Sequence, residues 1–380
     1  MRLPIEPKLP DLPVRSVAEM GLKELERVRL ILRGGSTVDW RRLHFRNRDE
    51  VDRFLRLCGL DLTHPEDEAW ARLVLSDAVE YLRRTFSYRV ADAVARPTEV
   101  HDLFLYASGV KEPYRFRRIA CIVLKCMHVV QHIEGRDLLF RLAVSEADLS
   151  RMATAKVNGV LAEAREKGLP ILDTSPSVKS RESLITKLLA KKENVAAQVY
   201  DKTRFRIVTP TRADILPVLY FLTQRLFPFN FLVPGQTENT LLPFKSLLHE
   251  FPHFRQYAHE LHLDLDFEDR EGAAGNEFSG SGYKALNFVV DVPLRLDEWL
   301  PPPELDRRER KGRIGFTLVE FQMMDVRTAE ENEQGENAHA RYKQRQKLRV
   351  LRRLSRGLVV PRGEDPPGHH SASPGIAERA

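Results

Sequence analysis

The chain has 380 residues, of which 42% are hydrophobic, enough to bury a sizeable core and to exclude general disorder. The formal net charge is +6 and the isoelectric point is near 9.2, a balance that permits an anionic partner such as a nucleotide or RNA. No apolar run approaches the roughly 18–20 residues that a membrane-spanning helix needs.

Two further features indicate a cytoplasmic protein. Residues 1–13 are spaced by prolines and carry charges of both signs, which is not the pattern of a signal peptide. The cysteines Cys58, Cys121 and Cys126 fall in apolar, helix-like surroundings and form no CxxC pair. We therefore expect core cysteines in a reducing compartment.

The first part of the chain predicts an all-helical N-terminal domain, residues 1–168. Apolar residues recur there at intervals of three and four, the period of an amphipathic helix. The predicted helices span 16–33, 48–58, 67–84, 98–108, 114–133, 137–143 and 146–168.

Two histidine patterns in this domain resemble parts of metal sites. His128 and His132 are four apart, as zinc ligands on one helical face can be, but no third ligand is suitably spaced and the valines between them favour a buried helix. The pair His101-Asp102 resembles part of an HD hydrolase site, whose other elements are not evident. Packing is the favoured interpretation of both, with metal binding as the alternative.

The second part of the chain predicts an α+β fold with a mixed sheet. Residues 169–178 are rich in proline and serine and predict a linker. The elements that follow are a helix over 181–192, a strand over 203–209, a helix over 212–225 and strands over 284–293 and 313–324. We assign residues 179–345 to a second domain that carries this sheet.

Three other segments of the second part differ in composition. Residues 227–281 are rich in His, Phe and acidic residues and predict an insertion with local helix at 240–262. Residues 340–356 form a basic, helix-like run that would suit an RNA backbone. Residues 346–380 are assigned to the end of this helix and a tail whose composition predicts disorder.

Charged residues on the predicted strands are the candidates for chemistry. Arg204 and Arg206 are two apart and share one face of their strand, which must meet water, a partner or an anionic ligand. Glu320 and Gln322 likewise share a face of an apolar strand, where the glutamate needs either a salt-bridge partner or a divalent metal. Asp201, at the start of its strand, could complete such a metal site.

Residues just before these strands carry further candidates. Lys179, Ser183 and Lys187 have the i, i+4, i+8 spacing that would line up two ammonium groups and a hydroxyl on one helical face, as a polyphosphate requires; a solvated helix face is the alternative. Gly282 would let backbone approach a ligand, and Tyr283 could stack on a base or fill the core.

Together these residues resemble the synthetase domain of RelA/SpoT-type (p)ppGpp synthetases, which have a polymerase-β-like nucleotidyltransferase core. The resemblance covers about residues 175–345 and leaves out the helical half. The matching blocks are Lys179-x3-Ser183-x3-Lys187, Asp201-x4-Arg206-Ile207, Gly282-Tyr283, Glu320-Phe321-Gln322 and Glu333-x-Gly335-x2-Ala338-His339-x2-Tyr342-Lys343.

The resemblance implies transfer of pyrophosphate from ATP to the 3′-hydroxyl of GDP or GTP, the chemistry of alarmone synthesis in the stringent response. It implies that Asp201 and Glu320 hold Mg²⁺ and that Tyr283 stacks on the acceptor base. The residues implied to bind donor phosphates are Lys179, Ser183, Lys187 and Arg206. Those implied to line the acceptor side are Gln322, His339 and Lys343.

Two departures from the family pattern leave other functions open. Ser177 stands where the family usually has an arginine against the adenine, and Met324 replaces an arginine after the second carboxylate strand. One alternative is a toxin that pyrophosphorylates the 3′ end of tRNA. The other is a catalytically degenerate module that binds a nucleotide or a partner.

Overall fold

The computed structural model describes residues 7, 9–11, 13–34, 44–190, 203–257, 283–300, 312–333 and 339–354. Within these residues, no helix combines the length and the apolar character needed to cross a membrane. The architecture is α+β, as the sequence predicts: helices form the first part of the chain and a mixed five-stranded sheet follows.

Most helices of the first part begin and end close to the predicted limits. The helices are α1 (Leu22–Leu32), α2 (Arg48–Leu57), α3 (Pro65–Phe86), α4 (Asp92–Ala95), α5 (Val100–Ser108), α6 (Phe116–Arg141) and α7 (Glu146–Glu166). Helix α1 begins six residues later than predicted, and α4 was not predicted. Local signals fix several of their starts: the Asn47 side chain caps α2, and Ser145 forms a capping box with Asp148 at the start of α7.

Helix α6 is continuous, whereas the sequence predicts two helices that break near residue 135. Gly135 favours a break by propensity, but it lies buried where α6 crosses the sheet. A Cβ at this position would contact the ring of Phe316 and would come within 2.9 Å of the Ile314 carbonyl oxygen. Packing against the sheet therefore keeps the helix intact through its glycine.

The sheet has the order β1-β2-β5-β4-β3. The strands are β1 (Asp173–Val178), β2 (Thr203–Thr209), β3 (Glu238–Asn239), β4 (Leu286–Arg295) and β5 (Ile314–Asp325). The central strands β2 and β5 are parallel, and β1, β4 and β3 pair antiparallel with their neighbours. β1 falls in the segment predicted as a linker; its Pro176 is tolerated because β1 is an edge strand.

The remaining helices are α8 (Arg181–Ala190), α9 (Ile215–Arg225), α10 (Phe244–Glu250), α11 (Pro252–Arg255), α12 (Val326–Glu333) and α13 (His339–Leu354). The last two strands and α13 were predicted within a few residues of these limits. The local helix predicted at 240–262 is present as the short helices α10 and α11, and residues 258–281 of the predicted insertion lie outside the described residues.

The two faces of the sheet differ in polarity. Phe205, Phe288 and Phe321 project from adjacent strands onto one face, and the rings of the last two stack with centroids 5.3 Å apart. This apolar face belongs to a buried core that is continuous with the helices of the first part. The division of the chain at residue 168 stays a prediction.

The histidines of the first part have packing partners. The ring of His132 stacks on Phe316 at 4.3 Å, and the His128 ring is hydrogen-bonded to the Asn230 amide at 3.1 Å. His101 Nε2 lies 2.6 Å from Asp52 Oδ1. In the described part of the chain, no cluster of three or more His, Cys, Asp or Glu side chains could hold a metal ion.

Candidate functional site

The polar face of the sheet brings together side chains that are far apart in sequence. The parallel register of β2 and β5 places Arg204 opposite Glu320 and Arg206 opposite Gln322. Since alternate residues of a strand share a face, all four side chains belong to the face opposite the phenylalanines. We call this surface the polar face, defined by these four residues.

Arg204 and Glu320 form the centre of the polar face. Arg204 Nε donates to Glu320 Oε2 at 2.8 Å, and the glutamate side chain is only 13% exposed. The partner that Glu320 needs inside an apolar strand is therefore an arginine from the neighbouring strand. A half-buried pair of this kind holds the carboxylate in a fixed position.

Arg206 reaches the same surface beside this pair. Its Nη1 donates to Glu333 at the end of α12 at 2.9 Å, and that glutamate is 67% exposed. Arg206 Nε is buried and has no hydrogen-bond partner within the described residues. A buried donor without an acceptor is costly, so this position favours an anionic ligand.

Tyr283 and Gln322 are joined on the other side of the pair. The Gln322 amide donates to the Tyr283 hydroxyl at 2.5 Å. Burial raises the pKa of Tyr283, while the nearby guanidinium groups of Arg204 and Arg206 oppose the rise. The phenol is therefore neutral near pH 7 and can both accept and donate hydrogen bonds.

The lysines of the predicted phosphate helix also lie at this face, with one correction. Lys179 is not in a helix, because α8 begins at Arg181; it lies in the turn that joins β1 to α8, whereas Ser183 and Lys187 are helical. Burial, together with the charges of Lys187 and Arg204, lowers the pKa of Lys179 to about 7 against the opposing effect of Glu320.

Lys179 and Arg204 lie close to the Glu320 carboxylate, while Lys187 lies beside Lys179 and Arg206 lies on the same face of the sheet. The excess of positive charge in a partly desolvated space lowers the affinity of Lys179 for its proton. A polyphosphate would relieve this repulsion by adding negative charge at the same place. The polar face is thus suited to bind an anion that carries several charges.

The other predicted site residues are less fully described. Lys343 is exposed on α13, a helix that packs on α8 through a hydrogen bond of 2.5 Å from Arg353 Nη1 to the Leu189 carbonyl. His339 is the first residue of α13, and its side chain is not described. Asp201 and Gly282 lie outside the described residues.

Glu320 alone does not make a Mg²⁺ site. Mg²⁺ in phosphate-transferring proteins is typically held by one or two carboxylates together with substrate phosphates. Glu320 is a carboxylate of the kind such a site uses, but Arg204 is bonded to it and Lys179 lies nearby. Its use as a metal ligand therefore requires the anionic substrate, and Asp201 is the second carboxylate that the sequence suggests.

Solved structures with a similar arrangement of chain elements are found for part of this chain. The chain is similar to small alarmone synthetases. Small alarmone synthetase 1 from Bacillus subtilis, bound to its product pppGpp, aligns at 17% identity and a TM-score of 0.31 over 55% of this chain and 84% of that one. Small alarmone synthetase 2 from Bacillus subtilis aligns at 15% identity and a TM-score of 0.29 over 55% and 92%.

A GTP pyrophosphokinase family protein from Streptococcus pneumoniae aligns at 13% identity and a TM-score of 0.29 over 55% of this chain and 84% of that one. These proteins are of the kind that the sequence motifs resemble. No protein-family model and no curated protein matches the sequence.

One residue that positions the site was not found from the sequence. Asn332, in α12, is buried, accepts a hydrogen bond from the Lys284 backbone N–H at 3.0 Å and donates to the Lys284 carbonyl at 2.7 Å. This double contact fixes the backbone next to Tyr283. The two residues are 48 positions apart, so no local spacing could have indicated the contact.

Proposed function

We propose that the polar face is the active site of a pyrophosphotransferase that moves the β,γ-pyrophosphoryl group of ATP to the 3′-hydroxyl of a guanine nucleotide. The observation that carries the proposal is the grouping of Lys179 and Arg204 at Glu320, with Lys187 beside Lys179 and Arg206 on the same face, because it joins a polyanion site to a fixed carboxylate. The order of the sequence motifs supplies the reaction class.

On the donor side, the cationic residues bind and orient the triphosphate. Lys179 and Lys187 lie next to each other and supply point charges, and the unpartnered Nε of Arg206 supplies a buried donor. Ser183, between the lysines in sequence, adds a hydroxyl. Positioning and charge stabilisation of this kind account for most of the catalysis in phosphoryl transfer.

On the acceptor side, Tyr283 presents its ring for stacking on the base, with Gln322 holding the hydroxyl. His339 and Lys343 at the start of α13 complete this side. Mg²⁺ held by Asp201 and Glu320 would neutralise the charge that develops on the transferred group.

The test is incubation of the full chain with Mg²⁺ and γ-labelled ATP, with GDP, GTP and bulk tRNA offered in separate reactions. We expect the label to move to GDP or GTP with release of AMP, and we expect transfer to stop when EDTA removes the metal. Glu320→Gln should abolish transfer, and Glu330→Gln is the matched control because Glu330 is exposed on α12 and does not belong to the polar face.

A second acceptor is tested in the same experiment. Helix α13, which packs against α8, exposes Lys343, Lys347 and Arg352. Such a row of cations suits an RNA backbone. Label on tRNA, sensitive to salt, would replace the guanine nucleotide by tRNA as the acceptor. Tight ATP binding with no transfer to any acceptor would overturn the proposed transferase activity and leave a nucleotide-binding module. The departures from the family pattern at Ser177 and Met324 would then account for the lack of activity.

A further inference from the structure

A pocket of about 300 Å³ opens between the segment that precedes α1 and the helices α1, α2 and α9. None of the residues of the polar face lines it. Its volume lies at the lower end of the range for small-molecule sites. The function proposed for the polar face gives this pocket no role.

Positive charge dominates the pocket. The basic residues that line it are Arg15, Lys23, Arg27, Arg46 and Arg53, against the two carboxylates of Glu24 and Glu50. Both carboxylates already accept hydrogen bonds from nearby backbone: Glu24 from the Gly21 N–H at 2.9 Å and Glu50 from the Arg46 N–H at 2.9 Å. The arginines therefore outnumber the acids that could neutralise them.

Among the described residues, two of these arginines have no acid partner. Within the part of the chain that the structure describes, the side chains of Arg27 and Arg53 form no ion pair and no hydrogen bond, and Arg53 Nε is buried without an acceptor. A buried guanidinium donor without an acceptor is unfavourable. An anion in the pocket would remove this cost.

Aromatic rings form the rest of the wall. Phe45 and Phe54 contact each other edge to face at 5.3 Å, and Tyr220 and Phe229 line the side formed by α9 and the residues after it. Burial raises the pKa of Tyr220, and Arg27, Arg15 and Arg53 are close enough to oppose that rise. The phenol ring and the unpartnered arginines therefore border the same space.

We infer that this pocket binds a small organic phosphate with a flat ring, and that a nucleoside monophosphate is the simplest ligand of this class. The phosphate would lie between Arg27 and Arg53, and the ring would lie against Tyr220 and Phe229. Guanidinium groups are suited to phosphate, and aromatic side chains stack on any base. The inference is independent of the reaction at the polar face.

The test is photolabelling of the full chain with 8-azidoguanosine monophosphate, followed by mapping of the labelled peptides. We expect label on the α9 peptide that contains Tyr220. Arg53→Gln and Arg27→Gln should each reduce this label at least tenfold. Arg84→Gln is the matched control, because Arg84 is exposed on α3 and far from the pocket lining.

The peptides separate this inference from the proposed function. Label on the Tyr220 peptide alone supports ligand binding in the pocket and counts against nucleotide binding at the polar face. Label on the Tyr283 peptide alone supports nucleotide binding at the polar face and counts against ligand binding in the pocket. Label on the Tyr220 peptide that is unchanged in both arginine variants would overturn the inference.

Competition tests the two halves of the ligand. Unlabelled GMP should displace the label from the Tyr220 peptide better than ribose 5-phosphate or inorganic phosphate. Equal displacement by all three compounds would contradict the inference that the ring of the ligand lies against the aromatic side chains. If the thermal unfolding midpoint of Arg53→Gln is close to that of the wild type, a loss of label reflects a loss of binding and not of folding. Arg27→Gln changes an exposed position and gives the same test with less risk to folding.

Discussion

Arg204 and Glu320 are paired neighbours in the parallel strands β2 and β5, and an Nε–Oε2 contact of 2.8 Å joins their side chains on the polar face. Lys179 and Lys187 lie beside this pair, and Arg206, which is ion-paired with Glu333, lies on the same face. This combination explains why the face tolerates so many charges next to an apolar strand, and it makes the carboxylate the most informative residue to change.

The first prediction concerns Glu320→Gln. The amide keeps the shape of the side chain but removes the negative charge opposite Arg204, so we expect label transfer from ATP to fall by about 100-fold or more. ATP binding without turnover should be kept or strengthened, because the face becomes more positive. Isothermal titration and the transfer assay measure the two effects; parallel loss of both binding and fold would contradict the prediction.

The second prediction concerns the charge of Lys179, whose pKa is lowered to about 7. Between about pH 7 and 10 the unfolded chain binds a proton that the folded chain does not, so the free energy of unfolding rises with pH across this range. Lys179→Met should remove this slope and stabilise the ligand-free protein below about pH 7 by on the order of 2 kcal/mol.

The same variant should bind ATP more weakly, since it lacks a phosphate contact. Thermal unfolding between about pH 6 and 10, with and without ATP, measures both effects. Lys125→Met, on α6, is the control for loss of a lysine elsewhere. A variant that binds ATP as the wild type does would remove Lys179 from the donor site.

The third prediction separates the ring of Tyr283 from its hydroxyl. Tyr283→Phe loses the 2.5 Å contact with Gln322 but keeps the ring, so we expect the KM for the acceptor to rise only a few-fold. Tyr283→Ala should raise the KM for the acceptor by about tenfold or more, because base stacking contributes roughly 1–3 kcal/mol to binding. Equal effects of the two changes would exclude stacking.

Local patterns in the sequence predict most of the elements. The α+β class and the strands that carry Arg204 and Glu320 follow from apolar periodicity and from the positions of Pro and Gly. Tertiary packing decides two of the elements that were predicted wrongly: β1 pairs at a sheet edge that its Pro176 does not prevent, and α6 continues because the sheet covers Gly135.

The candidate site was predictable in part. Alternation along β2 and β5 puts the polar residues on one face of each strand, but the parallel register that sets Arg204 against Glu320 is not local in sequence. The same holds for the contact of Asn332 with Lys284. Spacing also suggested that Lys179 continues the helix of Lys187, whereas α8 begins two residues later. Convergence of Asp201 with Glu320 stays a prediction.

The fourth prediction concerns Asp291, on β4 between α6 and the sheet. Burial raises its pKa to about 7, opposed by the charge of Arg136, and His132 Nε2 lies 3.6 Å from its carboxylate. Burial also lowers the pKa of His132, so the imidazole is neutral and does not compensate the aspartate. The Asp291 carboxyl therefore holds a proton in the folded chain that it loses in the unfolded chain between about pH 4 and 7.

The contribution of Asp291 to the free energy of unfolding should accordingly fall as pH rises through this range. Asp291→Asn should remove the fall and stabilise the protein above about pH 7 by on the order of 2 kcal/mol, with little effect near pH 4. Chemical unfolding at both pH values measures the difference. Asp137→Asn, at an exposed position of α6, controls for the loss of charge, and an equal gain there would contradict the assignment to burial.

The fifth prediction uses two helical glycines with opposite surroundings. A Cβ at Gly135 would clash with the ring of Phe316 and the carbonyl of Ile314, whereas a Cβ at Gly159 in α7 would meet nothing within 4 Å. Gly135→Ala should therefore lower the free energy of unfolding by about 1–3 kcal/mol through overpacking between α6 and β5. Gly159→Ala should raise it by about 0.5–1 kcal/mol, since alanine is the better helix former. Denaturant unfolding of both variants measures the contrast, and stabilisation by both would mean that α6 does not press its glycine against the sheet.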